Sequence, residues 1–336
     1  MKLLYFGSPE ISARLLDRLI RDREHQICAV ISNPDRPRGR SSKPVPTPVS
    51  LRAMEEGLPL FRFPSLKGEA GEQALRELRT FEADLGVVFA YGSIIPAAIF
   101  TMPGLGSVNL HGSLLPALRG ASPVQSAILN GFTETGWTLQ RLSERMDAGD
   151  ILSTVKIAID ENETAGELLE RMMPYGIQLV IDSLHSIDDL LSSARPQDEL
   201  QATYCSKLRP EDAFISWSDS SLTIHNKIRG MNPAPLARTI TEKGDLILLH
   251  RSALMLQDSI VGLLDSHDSE QSPGTVRVVR HSGKKRLLIR TGSGFLEILE
   301  LQLSGRRHMQ AHEFLNGSAV TDGSRFGAAP EAERIV

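Results

Sequence analysis

The chain has 336 residues, with 37 Lys and Arg against 41 Asp and Glu and a net charge of −4. Its 41% hydrophobic and 23% charged residues are the proportions of a globular protein, and the length predicts two domains, at least one with a sizeable core. No apolar run approaches the roughly 20 residues of a membrane helix, and two distant cysteines, Cys28 and Cys205, make neither a disulfide framework nor a metal cluster.

The N-terminal MKLLYFGSPE carries an apolar run, Leu3 to Phe6, broken by Gly7-Ser8-Pro9. No small-residue cleavage site follows it, so a cytoplasmic chain without a membrane segment is expected. Leu15, Leu16 and Leu19 recur at helical spacing, and the apolar run from Ile27 to Ile31 completes a strand-helix-strand unit. The alternation continues with a helix near 48–56, a short strand near 58–61, a helix near 70–80 and the wholly apolar strand LGVVFA at 85–90. A short helical segment follows Pro96, then the strand GSVNL, a helix near 122–130, the strand GWTLQRL and a long helix from Thr164 to about Leu191. Strands apolar on both faces and separated by helices predict an α/β fold, a doubly wound, mostly parallel open sheet.

Residues 192–208, rich in Ser, Pro and polar residues, read as a linker between a domain at 1–191 and one at 209–336. Beyond it the short alternating segments DLILLH, TVRVV, RLLIR and FLEILEL predict a smaller C-terminal β-barrel, with helices near 219–230 and 310–316. Charge divides with the chain. Residues 201–336 hold 17 basic against 15 acidic residues, leaving 20 against 26 for residues 1–200. A slightly negative total therefore does not exclude a polyanionic partner.

The stretch VNLHGSLLPALRGASP, residues 108–123, carries the chemistry. An apolar strand ends there in Asn109 and His111, two apart and so on one face. Ligands of such sheets bind beyond the carboxyl ends of the strands. The chain has no G-x-G-x-x-G after its first strand, no phosphate-loop motif, no H-E-x-x-H, and no nucleophile elbow around Ser113. An amide aimed at a carbonyl oxygen is an oxyanion donor, and an imidazole beside it can shuttle a proton. Asp147, in the loop after the next strand, would orient that imidazole, and Gly149 leaves room for a close backbone approach. Residue chemistry alone thus reaches acyl or one-carbon transfer. A capped strand end and a solvated Gly-containing loop remain the alternatives.

NLHGSLLPALRGASP followed by DAGD at 147–150 resembles the formyltransferase family that uses 10-formyltetrahydrofolate. The resemblance runs nearly end to end, through FGSPEIS, NPDRPRGRSSKPVPTPV, VVFAYGSIIP, TYCSKL, MNPAP and MQAHEFLNG, and is to the tRNA-directed branch. It implies a Rossmann-like catalytic domain and an OB-like C-terminal barrel, with 10-formyltetrahydrofolate as co-substrate and initiator tRNA carrying methionine as acceptor. By the family's pattern Asn109, His111 and Asp147 are catalytic. The folate would lie beside Phe89, Ala90, Tyr91, Gly92, Ile94 and Pro96, bordered by Ser113, Leu114, Leu115 and Pro116.

The loop at 33–49 matches the branch's acceptor-stem loop. Arg36, Arg38, Arg40 and Lys43 sit there among prolines, with Arg40 on the most characteristic position. Lys284, Lys285 and Arg286 in the barrel, and Lys207 and Arg209 beside the linker, would extend the tRNA path. A monomer with no protein-bound metal is expected. The chain departs from the family at Leu142-Ser143, and at Leu118, Ala234 and Ala237, where relatives often carry aromatics. An amino-sugar or other small-amine formyltransferase, and a tRNA-binding protein with a relic site, are the competing readings. The 33–49 loop speaks against the first and the intact trio against the second.

Overall fold

The computed structural model describes residues 1–37, 43–255, 271–318 and 320–327. The chain falls into two compact units, one built from 1–123, 135–157 and 171–205, the other from 124–134, 158–170 and 206–336. No helix among the described residues is long and apolar enough to cross a membrane.

The first unit is organised by a seven-stranded sheet of β1 (Lys2–Gly7), β2 (Gln26–Ile31), β3 (Leu60–Phe61), β4 (Leu85–Phe89), β5 (Ser107–His111), β6 (Glu134–Arg141) and β7 (Ile151–Ala158). Its order is β7-β6-β5-β4-β1-β2-β3. The five strands from β3 to β5 are parallel, and β6 runs antiparallel to β5. The parallel strands are apolar on both faces because both are covered: every residue of β4 is buried. On one face Leu4, Phe6, Ala29, Ile31 and Val88 pack with Ala74 and Leu78 of the helix Gly68–Arg79. Tyr5, also fully buried, needs a partner for its hydroxyl, which it finds by donating to the Ser12 carbonyl at 2.7 Å.

Strands β2 and β3 are added on one side of β1 and β4 and β5 on the other, so the winding reverses between β1 and β4, and a crevice is expected at their carboxyl ends. There the Ser8 hydroxyl, just past β1, donates to the Tyr91 carbonyl, just past β4, at 3.1 Å. The end of β5, with Asn109 and His111, is the next strand end along.

Three local expectations are corrected. The long helix stops at His185, and a second short helix, Ile187–Ser192, starts after Ser186, whose φ of −125° leaves the helical range. An unexpected strand, β7, closes one edge of the sheet; its half-exposed, weakly alternating residues hid it from the apolar-run criterion. Residues 192–205 are not free chain. Tyr204–Cys205 pairs in parallel with Arg119–Gly120, and the Arg119 amide donates to the Thr203 carbonyl at 2.9 Å.

The second unit holds β8 (Ala237–Thr241), β9 (Leu246–Leu254), β10 (Val276–His281), β11 (Lys284–Thr291), β12 (Gly294–Leu303), β13 (His308–Gln310) and β14 (Phe326–Gly327). The order β10-β11-β12-β9-β8-β14 is antiparallel at each pairing. Its two ends meet: Thr275, just before β10, bridges Arg325, just before β14, and the Phe326 amide donates to the Gly274 carbonyl at 2.8 Å. The sheet is therefore a curled barrel, which removes its open edges. Leu249, Leu287, Ile289, Leu296 and Leu301 fill it with Trp217, whose indole N–H donates to the buried Thr239 hydroxyl at 3.0 Å.

Leu4 has no exposed surface and lies in the first unit's sheet-helix core. Leu4→Ala is expected to cost about 2–5 kcal/mol of unfolding free energy, the range for a buried leucine that leaves a cavity. Urea unfolding followed by circular dichroism measures it.

Candidate active site

Asn109 and His111 project from the same face of β5 near its carboxyl end, and the antiparallel register sets Gln140 of β6 opposite Asn109 and Thr138 opposite His111. The loop after β6 brings back Asp147, a non-glycine residue with φ of +52°. Aspartate is among the few residues that tolerate that left-handed region. Gly149 is required two residues on, since a Cβ there would lie 1.9 Å from the Arg141 carbonyl oxygen.

The Asp147 carboxylate is the hub of the site. Its Oδ2 accepts the Gly120 amide at 2.8 Å, and its Oδ1 accepts the Gln140 amide at 3.1 Å and, more weakly, the Asn109 amide at 3.5 Å. The same Oδ1 lies 3.6 Å from Nδ1 of His111. The three amides donate, and Nδ1 of His111 can do so only when the ring carries both protons, an arrangement suited to an acceptor-only carboxylate. Gly120 reaches it because that residue adopts φ of +121° with its Cα against the Cys205 backbone, where a Cβ would lie 2.1 Å from the carbonyl oxygen.

His111 is 6% exposed, and its Nε2 lies 2.9 Å from the Leu118 carbonyl oxygen. A carbonyl only accepts, so Nε2 carries a proton and Nδ1 is the edge left facing Asp147. The Leu118 peptide is held from both sides, its own amide donating to the Thr203 hydroxyl at 2.9 Å. The turn between β5 and Leu118 is pinned as well. The Thr138 hydroxyl donates to the Ser113 carbonyl at 2.7 Å and accepts the Leu115 amide at 3.1 Å.

The structure thus brings Asn109, His111 and Asp147 together, and it adds Gln140 and the Gly120 amide, which sequence reasoning missed. Gln140 stands inside an apolar strand; the available signal was its register opposite Asn109, which requires the pairing to be known. Ser113 is buried and donates to the Ala117 carbonyl at 2.6 Å, so its hydroxyl is already engaged.

Of the residues expected to line a folate pocket, Phe89 and Tyr91 turn their rings into the core, against Trp137 and Phe6. What that segment offers is backbone: Ala90 and Gly92 have positive φ, and Gly92 and Ile94 are exposed. Leu115 is buried, while Pro96, Leu114 and Pro116 are half-buried. Gly92 lines a cavity of about 240 Å³ with Asn33, Pro34, Arg36, Val45, Thr47 and Ser93. Asn33, also missed from sequence, ties this region together: its amide donates to the Ser8 hydroxyl at 2.9 Å and to the Tyr91 carbonyl, and it accepts the Ser93 hydroxyl at 2.8 Å.

Arg36 and Lys43 are exposed; Arg38 and Arg40 lie outside the described residues. In the second unit Lys207, Arg209 and Lys284 are exposed. Lys285 donates to the Leu315 carbonyl at 3.1 Å, and Arg286 is ion-paired with Glu297, which holds its guanidinium above its usual range. Among the described residues one group has metal-ligand chemistry, Asp22, Glu24, His25 and His185 with ligand atoms within 4.8 Å of one another, and it shares no residue with the site above.

An amide, an imidazole and a carboxylate thus converge at the carboxyl end of a parallel sheet, side-chain chemistry compatible with acyl transfer. A formyl transferase family description matches residues 1–184, and one for the formyl transferase C-terminal domain matches 207–319. The chain belongs to the formyl transferase family. It is 42% identical over 328 residues to a methionyl-tRNA formyltransferase of Leptospira interrogans, covering 97% of this chain and 100% of that one. A methionyl-tRNA formyltransferase of Methylococcus capsulatus is 37% identical over 327 residues, at 97% and 100% coverage.

Two solved structures share the fold at 18% identity. WlaRD, a sugar 3N-formyl transferase, has a TM-score of 0.60 with 91% of this chain and 99% of that chain covered. HypX from Aquifex aeolicus in complex with tetrahydrofolic acid has a TM-score of 0.61, with 96% and 50% covered.

The hydrogen bond to Leu118 predicts that Nε2 of His111 stays protonated when Nδ1 loses its proton. Ring ¹⁵N shifts measured across a pH titration of labelled protein check this; the opposite tautomer would count against the orientation described.

Proposed function

We propose that the protein transfers a formyl group from 10-formyltetrahydrofolate to the α-amine of methionine carried by initiator tRNA. The observation that carries this reading is the likeness to methionyl-tRNA formyltransferases, 34–42% identical and nearly full length in both partners. Fold likeness alone would serve a sugar acceptor equally well.

The site geometry supplies a mechanism. The amine attacks the formyl carbon, forming the new C–N bond and placing negative charge on the former carbonyl oxygen. The Asn109 amide and the Nδ1–H of a doubly protonated His111 would stabilise that oxyanion. The Asp147 carboxylate beside both holds the proton shed by the attacking amine, which returns to the folate nitrogen as its bond to carbon breaks. The folate lies against the backbone of 89–92 with Ile94, Pro96, Leu114 and Pro116, and Ser113 and Leu115 support that wall from behind.

Recognition of tRNA phosphates falls to Arg36, Arg38, Arg40 and Lys43 of the 33–49 loop, with Lys207, Arg209 and Lys284 as outlying contacts. The catalytic domain is taken as 1–191, followed by a connecting segment at 192–208 and a C-terminal domain at 209–336, acting as a cytoplasmic monomer.

The test is a formyl-transfer assay with 10-formyltetrahydrofolate, offering charged initiator tRNA, charged elongator tRNA and amino-sugar nucleotides in parallel. Initiator tRNA is expected to be the best acceptor; formylation of a sugar but not of tRNA sinks the reading. Asn109→Ala and Asp147→Ala are each expected to lower kcat by about 100-fold or more, as loss of an oxyanion donor or proton-handling group does. Arg40→Ala is expected to raise the apparent KM for tRNA while leaving that for folate within about twofold, since a phosphate contact positions only the nucleic acid.

A further inference from the structure

Behind Asp147 lies a second, wholly polar layer. Arg119 follows His111 on the same loop and has no exposed surface. Its Nε donates to Oε1 of Gln197 at 3.0 Å, while Nη2 and Nη1 donate to the two carboxylate oxygens of Glu199 at 2.9 and 3.3 Å. Gln197 turns its amide nitrogen the other way, donating to the carbonyl oxygens of Asp147 at 2.8 Å and Gly149 at 2.7 Å. The same nitrogen lies 3.2 Å from Oε1 of Gln140, whose own amide donates to the Asp147 carboxylate.

The orientation of the Gln197 amide has no free choice. A guanidinium has only donors, so it selects the amide oxygen; carbonyl oxygens have only acceptors, so they select the nitrogen. A flipped amide would set like against like at every contact. Two bonds then clamp the carbonyls of the residues on either side of Ala148, Asp147 and Gly149, where Asp147 sits in left-handed backbone that most residues rarely adopt. Glu199 extends the clamp. Besides Arg119 it accepts Nη2 of Arg145 at 2.6 Å, from the same loop two residues before Asp147, and the two guanidinium groups hold its carboxyl down at about 2.

We propose that Gln197, oriented by Arg119, is a positioning residue for the catalytic carboxylate: it fixes the backbone that aims Asp147 at His111 and Asn109. The stretch expected to be a linker thereby belongs to the catalytic apparatus without touching substrate. This inference rests on the reading of Asp147 as the proton-handling group.

Gln197→Glu is the discriminating variant. It keeps the size of the side chain and an oxygen for Arg119, but sets an acceptor against the two carbonyls. Gln197→Leu removes all the polar contacts at similar volume, and Gln201→Leu, whose amide donates only to Asp198, is the control. With the folded state verified by circular dichroism, both Gln197 variants are expected to lose about 10- to 100-fold in kcat, the scale of a misplaced reacting group. KM for tRNA and folate should stay within about threefold, the pH profile of kcat should be displaced, and Gln201→Leu should behave as wild type.

A kcat within about twofold of wild type with an unchanged pH profile overturns the proposal, leaving Gln197 a packing residue. Should neither variant fold, the wild-type protein still decides: the side-chain amide protons of Gln197 are expected to exchange with solvent far more slowly than those of Gln201, and equal rates overturn it. Failure of the wild type to formylate tRNA would instead refute the functional reading, which the exchange measurement does not depend on.

Discussion

One carboxylate, held in left-handed backbone, organises the first unit's site. Three segments must arrive together for Asp147 to be satisfied: the end of β5 with Asn109, the Arg119–Gly120 turn with its amide, and β6 with Gln140. Each arrives by ordinary means. The strands are placed by apolar burial on both faces, and Gly120 by its pairing with Cys205. The Asp147 side chain is 14% exposed, so those donors replace most of the water its carboxylate gives up on folding. The polar shell is therefore part of what places this loop.

The same logic explains why Asn109 and His111 stand two residues apart. On a strand that spacing puts both side chains on one face, where the loop carrying Asp147 meets them. The Leu118 carbonyl occupies one nitrogen of His111, so only Nδ1 faces Asp147. The turn that leads to Leu118 thus fixes which edge of the imidazole faces Asp147.

Periodicity located the elements well where burial is symmetric. The all-apolar β1, β2 and β4 and the amphipathic helix Glu10–Asp22 were legible because each buries what its pattern advertises. Strand β7 was not, because an edge strand with half-exposed positions carries little apolar signal. Within the site, Asn109, His111 and Asp147 stood out as polar residues where apolar or turn residues were due. Gln140 and Gln197 did not: a glutamine in a strand and another in a Ser- and Pro-containing segment look unremarkable until the register and the fold bring their amides to the Asp147 loop. Long-range pairing, which no local pattern encodes, is what separates the two groups.

The basic residues of the second unit carry the same lesson in electrostatic form. A run such as Lys284, Lys285 and Arg286 suggests a cationic edge, yet alternation along β11 sends neighbouring side chains to opposite faces. Arg286 meets Glu297 across the pair with β12, and Lys285 caps the Leu315 carbonyl, while Lys284 stays exposed. Nearby, Arg277 pairs with Asp322 at 2.6 Å. A cation already paired with a carboxylate gives up that pair to reach a phosphate, so its gain from counterion release is offset. The charge this face can bring to a nucleic acid is thus smaller than its count of lysines and arginines. In the 33–49 loop the single acidic residue, Asp35, is paired with Arg62 from outside the loop at 2.9 Å.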